Sequence, residues 1–94
     1  MKNLQELKQL IDNGDSDDAI LATERWIESK DVAVDDLAQV YYLRGNAYRK
    51  QENWGKAMTC YLRAIDLNGH ESARQAYAMA KQVMNFYNKD YYNP

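Results

Sequence analysis

Apolar side chains recur along this chain at steps of three and four residues, the spacing that lines one face of a helix. Leu4, Leu7, Leu10 and Ile11 form the first such stripe. Asn13-Gly14-Asp15 then stops it with residues suited to left-handed backbone and turns. Asp15 or Ser16 is placed to cap a second helix, with Asp17 and Asp18 in its electropositive first turn. Ala19, Ile20, Ala22, Trp26 and Ile27 give that helix its apolar face. Residues 31–34 read as a slightly long connection, and Asp35 begins a third helix reaching about Gln51. Asn53 caps a fourth over residues 54–68, which Asn68-Gly69 ends. A fifth runs from about Glu71 to Asn88, with Ala73, Ala76, Tyr77, Ala80, Val83, Met84 and Tyr87 on one stripe. Met79 and Phe86 flank that stripe and are more apolar than a closing helix needs. The tail Lys89-Asp90-Tyr91-Tyr92-Asn93-Pro94 has no helical pattern and is expected to fray.

Within this pattern, residues 41–64 alternate large and very small side chains where two antiparallel helices must touch. The series is Tyr41, Arg44-Gly45 and Tyr48 on one helix, then Ala57, Tyr61 and Ala64 on the next. Short side chains at Gly45 and Ala57 let the backbones approach, and the tyrosine rings fill the space around that contact. The spacing resembles a tetratricopeptide repeat, W-x2-L-G-x2-Y…A-x3-F…P over 34 residues, and covers about Ala38 to Glu71. Tyr41 stands for Trp, Arg44 for Leu, Tyr61 for Phe and Gly69 for the closing Pro. These changes leave the pattern of large and small residues intact.

The resemblance implies an all-α fold: antiparallel helix pairs stacked as a short right-handed solenoid of five helices in one domain, 1–94. Ala19 and Ala57 hold the same place in a second helix but lie 38 residues apart. Residues 2–30 therefore read as a degenerate repeat, 35–69 as the full one, and 71–88 as a closing helix with a wet outer face. In this family the concave side, lined by the first helix of each pair, usually binds a peptide or helix of another protein. The residues expected to line it are Lys8 and Asp12, then Gln39, Tyr42, Asn46 and Arg49, then Ala76 and Ala80. An amide at Asn46 can donate to and accept from a ligand backbone, and Arg49 can fork onto a carboxylate. Some family members clamp a terminal carboxylate with Lys and Asn from successive first helices. Lys8 and Asn46 suit that clamp; Asp12 and the alanines of the third unit depart from it.

Composition narrows the rest. One Pro and four Gly in 94 residues suit helices rather than an all-β fold. The single cysteine, Cys60, cannot form an internal disulfide, which points to a reduced, cytoplasmic setting. No apolar run reaches the length of a membrane span, and the start has no signal-peptide pattern. Residues 1–36 carry four basic groups against ten acidic ones, and residues 37–94 carry eight against four. That asymmetry suits helix-end charges and solubility, or an acidic partner drawn to the C-terminal two-thirds.

No catalytic constellation emerges. His70 has no second ligand at metal spacing, and Cys60 has no histidine to activate it. Asp17/Asp18 and Asp35/Asp36 sit where helices begin, so capping outranks acid–base work. Arg44, Arg49, Lys50 and Lys56 with Tyr42 and Tyr48 resemble a nucleic-acid patch, but a pI near 5.3 and the packing role of Tyr48 weigh against it. The sequence thus predicts a non-catalytic protein-binding module, an adaptor or scaffold without metal or cofactor. Self-association through Met79, Phe86 and the Tyr91-Tyr92 tail, completing a short array as a homodimer, or a regulatory fragment of a larger protein, is the alternative.

Overall fold

Five helices follow one another with short turns: α1 (Leu4–Asp12), α2 (Ser16–Glu28), α3 (Val34–Lys50), α4 (Trp54–Asn68) and α5 (Glu71–Tyr87). The computed structural model describes residues 3–87; the predicted fraying of 89–94, the Tyr91-Tyr92 tail, Asn88 and the side chain of Tyr87 lie outside the described residues. No strand occurs among them. The helix starts follow their caps. Asn3 accepts from the Gln5 N–H, and Asn53 accepts from the Lys56 N–H. At α2 the capping position falls to Asp15, whose side chain makes no cap hydrogen bond; its carbonyl accepts from Ala19 instead. Helix α3 starts at Val34, one residue ahead of the predicted Asp35, with Ala33 at the cap.

The turns that end α1 and α3 are the same motif. Gly14 (φ 86°) and Glu52 (φ 59°) are both left-handed. In each turn the next residue reaches back five positions, Asp15 N–H to the Leu10 carbonyl and Asn53 N–H to the Tyr48 carbonyl. That is the Schellman closure, and it puts a non-glycine residue in a conformation that costs it about 1 kcal/mol at Glu52. Ala19 and Ala57, the small residues paired by sequence, are both completely buried.

Side chains at the helix ends record that neighbours run antiparallel. Gln51, capping the end of α3, donates to Asp17 at the start of α2 (2.6 Å). Asn68, ending α4, donates to Asp35 at the start of α3 (3.0 Å). The first-turn carboxylates therefore tie helix ends together. Helix α3 packs on α2 and α4, α4 on α5, and α1 on α2 and α3, so the molecule is long and flat at 52 × 27 × 19 Å. Its core divides accordingly. Leu7, Ile11, Ala19, Leu43 and Ala47 make one cluster; Ala38, Ala57, Tyr61, Ala64, Ala73 and Ala80 make the other.

The contact between α3 and α4 turns on Gly45. A Cβ built there would lie 2.5 Å from Cε1 and 2.7 Å from Cδ1 of Tyr61, a completely buried ring. Tyr61 thus occupies the volume that glycine leaves open. Tyr41 and Tyr48 sit half-buried beside this contact.

Arg44 takes a place that apolar packing would otherwise fill. It crosses to α2, where Nη1 donates to the Thr23 hydroxyl (2.8 Å) and the Ile20 carbonyl (3.2 Å). Thr23 is fully buried and donates to the same carbonyl. Glu24 adds only a loose, half-exposed ion pair at 3.7 Å, worth little in water. Truncation and replacement should therefore differ. Arg44→Ala is expected to cost about 2 kcal/mol, the range for hydrogen bonds to a charged group. Arg44→Leu should cost less, because an apolar side chain of similar volume restores packing. Urea unfolding of the two variants decides it; equal losses would contradict the bridging role.

Candidate functional site

Two faces of α3 carry different chemistry because 3.6 residues complete a turn. Gln39, Tyr42, Asn46 and Arg49 leave one side; Tyr41, Arg44 and Tyr48 leave the other. The first set is the predicted groove lining, and all four are half-buried.

On that face Asn46 and Gln39 are each oriented by a neighbour. The Tyr61 hydroxyl donates to Asn46 Oδ1 at 2.7 Å. Burial pushes that hydroxyl up to about 12, so it remains a donor at neutral pH despite the opposing pull of Arg49. Asn46 is thereby fixed with its carbonyl inward and its NH2 outward. Of the two roles expected for this amide, accepting is largely taken up internally; donating remains. No carboxylate pairs with Arg49 among the described residues.

His70 sets the other end of this face. Its Nδ1 accepts from the Ala73 N–H at the start of α5 (3.1 Å), so the ring proton sits on Nε2 and donates to Gln39 Oε1 (2.7 Å). The ring stacks on Tyr42 at 4.8 Å. His70 is a helix cap and a strut between α3 and α5. Burial lowers its pKa, and protonating Nδ1 would break the cap. A lowered folded-state pKa gives stability that is full above the unfolded value of about 6.5 and is lost as pH falls toward the folded one. Thermal unfolding at pH 8 and pH 5.5 should show a smaller drop for His70→Asn, which keeps a capping oxygen, than for the parent. An identical drop would contradict the assignment.

The remaining predicted positions divide. Lys8 and Asp12 are exposed on α1, and Ala76 is half-buried on α5. Ala80 is a correction: it is completely buried in the α4–α5 core, so it offers a ligand no surface. The basic residues that the sequence sets beside Tyr42 and Tyr48 divide between the two sides of α3. Arg49 lies with Asn46, whereas Arg44 and Lys56 lie against the Tyr48 ring at 5.4 and 5.5 Å.

On the opposite face, Tyr41, Arg44, Tyr48, Lys56, Thr59, Cys60 and Arg63 line a cavity of about 470 Å³. The periodicity that signals it is the α4 stripe 56, 59, 60, 63. Burial pushes the Cys60 thiol up, with Arg44 pulling the other way, so it stays a protonated, inert thiol. On α5, Met79 and Phe86 are 56% and 76% exposed and border a shallow hollow with Gln82 and Val83. No group of three or more metal-ligating side chains occurs among the described residues. None of their helices is long and apolar enough to cross a membrane.

Comparison with known proteins bears on what this arrangement is. Residues 38–71 match the family model described as Tetratricopeptide repeat. The solution NMR structure of the Bacteroides fragilis protein BF1650 is similar, with 43% identity, a TM-score of 0.84, and coverage of 99% of this chain and 91% of that one. No curated protein matches the chain.

Proposed function

Since the chain belongs to the tetratricopeptide-repeat family, whose domains are in general protein–protein interaction modules, we propose that it is a non-catalytic adaptor holding a peptide or helix of a partner against the α3 face. The first helix pair acts as a degenerate repeat and α5 as the closing element, so that α1, α3 and α5 border the groove. The observation carrying this reading is the set state of Asn46: Tyr61 holds its carbonyl, leaving two N–H groups for a ligand carbonyl. Arg49, one turn on, supplies the charge that favours an acidic partner. Tyr42 and Gln39, held by His70, give that partner a rigid apolar and polar edge. Lys8, Asp12 and Ala76 extend the same surface onto the neighbouring helices.

Selection of binders from a random peptide library, followed by titration of the isotope-labelled protein, tests this. The expected result is saturable NMR shifts of the Gln39, Tyr42, Asn46 and Arg49 amides. Selected peptides that shift only residues on the other side of α3 would overturn it.

A further inference from the structure

The cavity on the far side of α3 has no part in that groove, and its chemistry is different. Three cationic side chains converge on it, Arg44 from α3 and Lys56 and Arg63 from α4, and no carboxylate lines it. Lys56 and Arg63 have no acidic partner among the described residues. Each is instead laid over a tyrosine face, Lys56 on Tyr48 and Arg63 on Tyr41, both at 5.5 Å. Arg44 is already clamped by Thr23 and the Ile20 carbonyl, so its position is fixed before any ligand arrives. Glu24 offsets one charge, loosely, from the Arg44 side. Two positive charges remain uncompensated around a hollow whose volume falls in the range of small-ligand sites.

We infer that this cavity between α3 and α4 binds a phosphoryl monoester, with Lys56 and Arg63 contacting its oxygens and Arg44 completing the positive rim. Charge selects the class. A phosphoryl monoester carries about −1.5 to −2 at neutral pH with three strong acceptor oxygens, which matches the excess here; a carboxylate supplies half of it. The ring faces of Tyr41 and Tyr48 are occupied by cations, so they orient the donors rather than stack on a base. Lys56 and Arg63 are seven residues apart on one helix, about 10 Å along its axis. Their flexible side chains must therefore close from opposite ends onto a group seated between them, over Thr59. The phosphoryl group has two sources, a free phosphorylated metabolite or a phosphorylated side chain of a partner protein.

Titration of the isotope-labelled protein at constant ionic strength separates these. The probes are inorganic phosphate, a short phosphoserine peptide and the same peptide unphosphorylated. The expected result is saturable shifts of the Lys56, Thr59 and Arg63 amides with at least one phosphorylated probe. Binding should weaken at least tenfold in Lys56→Gln/Arg63→Gln. A phosphoserine peptide binding tenfold tighter than inorganic phosphate identifies a modified partner; equal affinities identify a free metabolite; both uphold the site. Shifts that do not saturate, that persist in the double variant, or that the unphosphorylated peptide reproduces would overturn it. Should circular dichroism show the double variant unfolded, Arg63→Gln alone carries the test.

Discussion

Gly45→Leu is expected to lower the unfolding free energy by about 3 kcal/mol, the upper part of the range for overpacking a filled core. The first added atom alone would stand 2.5 Å from the Tyr61 ring. That ring cannot retreat, because it is completely buried and its hydroxyl is tied to Asn46. Leucine regains about 0.8 kcal/mol of helix propensity over glycine, too little to offset the clash. For a domain of this size the midpoint should fall by about 15 °C, at 4–8 °C per kcal/mol. A thermal midpoint equal to that of the parent would mean that α3 and α4 do not meet at Gly45.

Tyr61→Ala should be at least as damaging, by about 3–5 kcal/mol, since it empties the largest fully buried side-chain site. Tyr61→Phe separates the two contributions of this residue. It keeps the ring and removes only the donor to Asn46, a half-buried partner that water can reach, so it should cost about 1 kcal/mol. The two large effects share one contact and will not add: Gly45→Leu in a Tyr61→Ala background should cost clearly less than alone. Denaturant unfolding of the double-mutant cycle reads this directly. Full additivity would show that the leucine and the ring do not compete for the same space.

The five helices, the end of α1 and both ends of α4 were legible because each rests on local chemistry: a three-to-four periodicity, Asn53 before α4, Gly14 and Gly69 after α1 and α4. The close contact at Gly45 was legible for a related reason, since size alternation survives the replacement of Phe by tyrosine at Tyr61. What escaped the sequence depends on how one helix is rotated against another. Ala76 and Ala80 lie one turn apart on the same stripe, yet Ala80 is completely buried and Ala76 half-buried. Periodicity alone gives no register by which to divide them. The partners of Arg44 lie 21 and 24 residues away on α2. An arginine stands where the repeat favours leucine, but nothing in the sequence singles out Thr23 as its partner. Asn46 likewise loses its acceptor role to a hydroxyl 15 residues on, and the contact by which His70 braces α3 against α5 joins residues 31 apart.

The groove reading rests on the outward donor of Asn46 and the charge of Arg49, and these can be removed without touching the core. Asn46→Asp keeps an oxygen for the Tyr61 hydroxyl while deleting the N–H groups, and Arg49→Ala removes the guanidinium. The decisive measurement is calorimetric titration of a selected peptide into the parent and into this double variant, with thermal unfolding of both run alongside. Affinity at least tenfold weaker, at a midpoint within a few degrees of the parent, is the predicted result. Unchanged affinity in a folded double variant would contradict the docking of a partner on this face.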